Sequence, residues 1–489
     1  MNDTDISSDT SSDISSDVRT AADSAMTDGS GATDAVISWT ARPRRRNAPR
    51  VVVGVGLGLL LVAGGALGLS RSGNNSVDIT TAADANVIAP AAVASPVGPP
   101  ADNLDELIVQ LQTRLEVVPG DDVAWATLAI AYTQQARITA DPSFYDRSDG
   151  AIDRSFDVND DDNFLAYAAQ SALQSARHEF GDAKASAESG LAINAFSPIL
   201  YGALSDAEVQ LGNYDAAIDA SQQMLDLSPD PTSFARASYL WELRGDVDAA
   251  TELMQRALDD SDAPSDRAFA LTYLGELDFN AGDSSAALDH YNDALAASPR
   301  DAPALAGKAR AEAALGQTET ALDHYRELID MAPEPSYIVE HGELLESLGR
   351  SEEAAVQYQL FDTVQTLFES NGVQPDAAPT LFYANHGDPE RALADAEAGV
   401  AARPFLAMYD AYAWALHANG RHDEALIAIG QARELGYQSA LFSYHSGMIK
   451  LALGDVDGAR TDLALALEIN PDFNPLAAPI AESTLADLP

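Results

Sequence analysis

Eight histidines, 76 carboxylates and no cysteine set the chemistry open to this chain. The missing thiol removes disulfides, thiolate nucleophiles and Cys-based zinc sites together, and with them any lipid anchor built on an acylated Cys. Histidines that hold a metal need partners on the same face of an element. His417 and His422 are five apart, a poor interval for one helical face, and no H-E-x-x-H occurs. His290 and His324 occupy the same place in two copies of the pentapeptide ALDHY, at Ala287–Tyr291 and Ala321–Tyr325. A residue repeated with its surroundings reads as scaffold. The run DVNDDDNF, Asp157–Phe164, has the acid density of a calcium loop. Its sixth place is Asp162 where the loop needs Gly, and its twelfth is Ala168 where it needs a bidentate Glu. It reads as an acidic helix end and turn. No nucleophile elbow, phosphate-binding loop or kinase signature is present. GVGLG at Gly54–Gly58 lacks the strand, helix and acidic residue of a dinucleotide site. The residues therefore assign no catalytic, cofactor or metal site, and no cofactor is expected.

The charge balance narrows the partners. With 28 Lys and Arg, the net charge is -48, and only Lys184, Lys308 and Lys450 are lysines. Such a field repels nucleic acids and anionic headgroups, so no nucleic-acid partner is expected. It serves solubility or a salty medium, and it favours a basic partner.

Three regions precede the periodic part. Residues 1–41 are rich in Ser, Thr and Asp, a composition too poor in apolar surface to offset chain entropy, and read as a disordered acidic tail. Residues 42–50 hold Arg42, Arg44, Arg45, Arg46 and Arg50; residues 51–69 carry no charge. Nineteen residues at about 1.5 Å each roughly match a ~30 Å hydrocarbon core. The arginine asymmetry then puts the N-terminus in the cytoplasm and the remainder outside, through an uncleaved single-pass helix in the cell membrane. Gly54 with Gly58, and Gly64 with Gly68, fit the spacing that lets two membrane helices approach, so a homodimer through this helix is one expectation. Residues 70–102, with four prolines, read as a spacer.

From residue 103 to 473 the pattern becomes helical and periodic. Glycines at 181, 212, 245, 282, 316, 349, 387, 420 and 454 recur at intervals near 34. In the unit holding the first ALDHY, Leu271, Leu274 and Gly275 line the inner face of a first helix, and Gly282 ends it. Ala287 marks a close helix crossing, Tyr291 and Ala294 share one face, and Pro299 marks the exit. Leu305, Gly316, Ala321, Tyr325, Leu328 and Pro333 repeat those offsets, as do Gly342, Gly349, Ala354, Tyr358 and Phe361. The predicted fold is all-α, a solenoid of about ten helical hairpins, with residues 474–489 as a C-terminal tail. Irregular units are expected at Ile138–Pro142, in a long second helix reaching about Ser370, and at Ala396, where the aromatic is missing.

These residues resemble the tetratricopeptide repeat family over about 103–473. The stretches GDPERAL and AYAWALHANGRHDEAL are similar to a group of bacterial envelope proteins of that family with unknown activity. VVPGDDVAWATLAIAY is similar to the repeat part of cytochrome c maturation proteins, without a haem-attachment motif. The resemblance implies a right-handed superhelix whose first helices line a concave groove for a protein or peptide. Its offsets place His178, Asp206, Tyr239, Glu242, Glu276, Asn280, Glu343, Trp414, His417, Tyr444 and Met448 on that groove. A clamp of Lys, Arg and Asn for a peptide carboxylate does not fit three lysines; an acidic groove with aromatic patches favours a basic or amphipathic segment. The resulting expectation is a membrane-anchored extracytoplasmic scaffold. A chaperone-like holder of unfolded chains is the alternative, and a hydrolase built on scattered carboxylates is the reading from another class.

Overall fold

The structure, a computed structural model, describes residues 104–489. The tail, arginine run, apolar stretch and spacer, with Gly54, Gly58, Gly64 and Gly68, lie outside the described residues. Among the described residues there are 22 α-helices and no strand, and no helix is long and apolar enough to cross a membrane.

The chain enters through α1 (Leu104–Val117) and then forms ten antiparallel hairpins. They pair α2 (Asp122–Thr139) with α3 (Phe144–Val158), α4 (Phe164–Ala176) with α5 (Phe180–Ile193), and α6 (Pro198–Gln210) with α7 (Tyr214–Leu227). Then follow α8 (Pro231–Glu242) with α9 (Val247–Asp259), α10 (Pro264–Asn280) with α11 (Ser284–Ala297), and α12 (Ala302–Ala314) with α13 (Thr318–Met331). The last four are α14 (Pro335–Ser347) with α15 (Ser351–Ser370), α16 (Ala377–Asn385) with α17 (Pro389–Ala402), α18 (Leu406–Ala418) with α19 (His422–Ala432), and α20 (Ala440–Ala452) with α21 (Val456–Ile469). A closing helix, α22 (Ala477–Asp487), packs on α21.

Every hairpin turns through one residue with left-handed backbone. In eight it is glycine, from Gly212 (φ 71°) to Gly454 (φ 81°). In the first two it is Ala140 (φ 51°) and His178 (φ 62°). Gly181, aligned with the turns on sequence, lies inside α5 instead; His178 holds the turn, which restores the interval to Gly212 to 34 residues. Aspartates 246, 283, 388 and 455 follow the turn glycine directly. Each accepts the backbone N–H three residues on, satisfying an otherwise open helix end and placing negative charge at the positive end of the dipole. Part of the acidic composition is thus helix capping.

The repeated ALDHY has a packing reason. Ala287 and Tyr291 are both fully buried. The Tyr291 ring lies against Gly275 of its own hairpin and Gly307 of the next, where an added Cβ would come within 2.7 Å and 2.3 Å of Cε1. The ring is the spacer between three helices, and only glycine leaves room for it on both sides.

The solenoid also meets itself. Gln374 N donates to Arg177 O (3.0 Å), Leu406 N to the Tyr214 hydroxyl (3.0 Å), Gln438 Nε2 to Gly245 O (2.9 Å) and Asn470 Nδ2 to Phe279 O (2.7 Å). Arg403 Nη1 donates to Gln210 Oε1 (3.2 Å). These partners are 191 to 197 residues apart, so the path closes on itself after between five and six units of about 34 residues. Gly212 and Gly245 serve both purposes. Each takes the left-handed turn, and each leaves room for a carbonyl of the next layer, Pro404 O and Gly436 O, where a Cβ would come to 2.6 Å and 2.4 Å.

Candidate functional site

Closure of the turn forms a cavity of about 650 Å³, open to solvent on part of its surface. Its wall is built from α10, α12 and α14 on one side, from residues around Arg137 and His178, and from the next layer through Tyr437 and Pro471–Pro475. This volume lies within the range that holds a drug-sized molecule or a few extended residues. Nine carboxylates and three arginines line it, with Phe269, Tyr273, Tyr337 and Phe473 among the aromatic residues.

The repeat register explains how the charges converge. Six residues before each turn glycine stand Asp206, Tyr239, Glu276, Arg310, Glu343, Trp414 and Met448, with Leu381 between the last acid and the tryptophan. Arg310 Nη2 and Nη1 donate to Glu276 at 2.9 and 3.3 Å, and its Nε lies 3.7 Å from Glu340. Tyr291 Oη donates to Glu276 Oε1 (2.8 Å), and Tyr325 Oη to Glu340 Oε2 (3.0 Å). Glu343 accepts from Asn474 Nδ2 (2.8 Å) of the next layer and faces His386 Nε2 at 3.4 Å. Two carboxylates, Glu276 and Glu340, thus face one guanidinium, and Glu343 adds a third negative charge beside Glu340. Burial raises the Glu340 pKa; Arg310 and the Tyr325 hydroxyl oppose the rise, and Glu276 and Glu343 add to it. Burial works against the Arg310 cation as well, but Glu276 and Glu340 hold it charged.

Glu242 borders a smaller pocket of about 40 Å³ with Asn280, Tyr437 and Gln438. Burial lifts its pKa to about 8, the Glu276 charge adds to the rise, and Asn280 opposes it. At neutral pH it is mostly a neutral acid held between two layers of the solenoid.

The residues placed on a groove from sequence therefore divide. His178, Glu276, Asn280 and Glu343 line the large cavity, and Glu242 and Asn280 line the small one. Tyr239 is buried beside Glu242, and burial raises its pKa well above the ordinary value. Asp206 is engaged by the Arg236 guanidinium, through Nε at 3.0 Å and Nη2 at 2.8 Å. Trp414, His417, Tyr444 and Met448 belong to a separate cluster at the C-terminal end. There Trp414 stacks on His417 (4.9 Å) and His445 (4.2 Å), donates Nε1 to Asn385 Oδ1 (2.7 Å), and Tyr444 meets Phe473. His417 and His422 are neighbours across the hairpin turn, with ring centroids 4.8 Å apart. No group of three or more His, Asp or Glu that could hold a metal occurs among the described residues. His290 and His324 each bond back to the first helix of their own hairpin, Nδ1 to Asp278 Oδ2 (2.7 Å) and to Glu312 Oε2 (2.6 Å). Asn163 of the DVNDDDNF run caps α4.

Arg310 was missed on sequence although it stands at the register position that yields Glu276 and Glu343. Tyr273 and Glu340, nine residues before their turn glycines, follow from the same register. Tyr437, Asn474 and Asp376 carry no such signal, because closure of the turn brings them in.

Three segments, 203–267, 273–336 and 419–475, match the model described as tetratricopeptide repeat. No protein of curated function matches the chain. Among solved structures it is similar to a tetratricopeptide repeat protein from Parabacteroides merdae at 20% identity, covering 53% of this chain and 98% of that one, TM-score 0.31. It is similar to yeast Tom70 at 13% identity over 73% and 96%, TM-score 0.32. It is also similar to the Cut9-Hcn1 hetero-tetramer of the APC/C at 14% identity over 79% and 94%, TM-score 0.36.

Proposed function

We propose that this tetratricopeptide repeat protein is a scaffold that binds a protein or peptide through its inner face, anchored by one N-terminal helix with the repeats outside the cytoplasm. The observation that carries the binding part is the inner cavity, where first helices of successive repeats converge with an excess of carboxylates and several aromatic walls. Such a surface suits a basic or amphipathic segment. The anchoring part rests on the uncharged stretch 51–69 and the arginines before it. The reading involves no catalysis: the buried charges pair with one another and with tyrosines, as Glu276 does with Arg310 and Tyr291.

Two experiments test it. A photo-crosslinking side chain replacing Tyr337, which lines the cavity, captures a specific partner, whereas one replacing Val356, 60% exposed on α15, does not. Equal capture from both positions, or none, counts against the inner face. A reporter fused after Pro489 that is active only outside the cytoplasm is expected to be active; silence reverses the orientation.

A further inference from the structure

We infer that the cavity recognises a guanidinium or ammonium group on an extended ligand, seated against Glu340 and Glu343 between the tyrosine walls. This rests on the reading of the cavity as the partner site and adds what that site selects.

The Glu340 carboxylate has acceptor capacity to spare. Glu340 gives one oxygen to Tyr325, lies 3.7 Å from Arg310 Nε, and keeps 21% of its side chain open in a wall that faces the cavity. Glu343 stands three residues on, on the same face of α14, and also lines the cavity; it adds negative charge there while its oxygens face Asn474 Nδ2 (2.8 Å) and His386 Nε2 (3.4 Å). Arg310 is already engaged by Glu276 and lies only at the edge of Glu340. Asp376 lines the same cavity; its Oδ1 is bonded to Arg403, and its Oδ2, without a hydrogen-bond partner, faces His178 Nε2 at 3.7 Å. Carboxylates partly buried in a cavity wall attract a cation more strongly than fully exposed ones, because the low-dielectric surroundings screen less. Tyr273 and Tyr337 add ring faces, which attract cations through their quadrupoles.

Closure of the turn sets the shape of the ligand. The layers are joined at Arg177–Gln374, Gln210–Arg403, Gly245–Gln438 and Phe279–Asn470, so that seam offers no lateral entry for a folded domain. An extended segment or a free organic cation fits the volume. The chemistry is shared by an arginine-bearing peptide and by a small amine, and the test separates them.

The test is calorimetric titration of the full chain with a short peptide carrying two arginines, the same peptide with both arginines replaced by norleucine, free arginine, and spermidine. Glu340→Gln and Glu343→Gln keep size and hydrogen bonding, and thermal unfolding confirms that each variant folds. The arginine peptide is expected to bind and the norleucine peptide to bind at least ~10-fold more weakly. Each Gln variant is expected to weaken the arginine peptide by about 10-fold or more, as loss of a charge-assisted hydrogen bond implies. Binding of free arginine or spermidine with the same variant sensitivity assigns the site to the cation itself; binding of the peptide alone assigns it to cationic side chains on a chain. Equal binding of both peptides, unaffected by the Gln variants but abolished by Tyr337→Ala, overturns the cation preference and leaves the inner-face reading standing. No binding by any of the four ligands, together with no capture from position 337, overturns both.

Discussion

Arg403 is the most consequential charge in the seam, and removing it makes a quantitative test of turn closure. Its side chain is 2% exposed at the C-terminal end of α17. One arm is bonded to Asp376 Oδ1 and the other to Gln210 Oε1 of the adjoining layer, and the guanidinium lies 5.5 Å from the Phe180 ring centroid. In Arg403→Met the methylene stem is kept and the charge is lost. Asp376, 6% exposed, then retains only the Ala377 backbone N–H. His178 Nε2 is 3.7 Å away, but burial lowers its pKa to about 4, with the Arg403 charge contributing to the fall, so it is neutral at pH 7. An uncompensated buried carboxylate costs on the order of 3–5 kcal/mol. Urea unfolding of the full chain should show a loss of that size. Asp376→Leu/Arg403→Met should be less destabilised than either single variant, because the orphaned charge is gone. The pH dependence adds a sign. Without Arg403 one cause of the lowered His178 pKa is gone while burial remains, so the value rises from about 4, and the variant takes up that proton more readily than the wild type. The Arg403→Met deficit should therefore shrink as pH falls toward the acid side of neutrality. A loss under about 1 kcal/mol, or additive single variants, would refute the reasoning.

Glu242 is raised from 4.5 to about 8, so the wild-type chain should lose stability as pH climbs between those values. Integrated over that window the loss is at most about 5 kcal/mol, and Glu242→Gln should flatten the slope in urea melts taken at several pH values. Gly307→Ala places a Cβ 2.3 Å from the buried Tyr291 ring and should cost about 1–3 kcal/mol despite alanine's better helix propensity; Gly150→Ala, in α3 with open space around it, should be neutral or stabilising by up to about 1 kcal/mol in the same assay. Ala140→Gly relieves a left-handed alanine at φ 51° and should raise the melting free energy by about 0.5–1 kcal/mol.

The hairpin was legible because its constraints are local and repeated. Left-handed turns select glycine, close crossings select alanine, and both recur every 34 residues or so, as Gly282 and Ala287 do again at Gly316 and Ala321. The same rule misled at Gly181, where glycine sits inside α5 and a histidine takes the strained turn. The candidate site was legible only in part. Register alone reaches Glu276 and Glu343, and applied evenly it also reaches Arg310. It cannot reach Asn474 or Tyr437, because the number of units per turn is the accumulated result of small rotations between hairpins. A glycine such as Gly245 looks the same in sequence whether it only turns the chain or also admits the carbonyl of Gly436. Helix α22 lies in the stretch read as a tail; the residues it buries, Ala478 and Ala481, are small, and the helix packs on α21 only once the fold brings the two together.

The central claim is that a closed turn of repeats holds a cation against Glu340 and Glu343. The most direct measurement is an experimental structure of the full chain bound to the two-arginine peptide. The account predicts a guanidinium within hydrogen-bond distance of Glu340 or Glu343, beside Tyr337, with Gln438 still on Gly245 O and Asn470 still on Phe279 O. A peptide bound on the second helices, or layers separated along that seam, would contradict it.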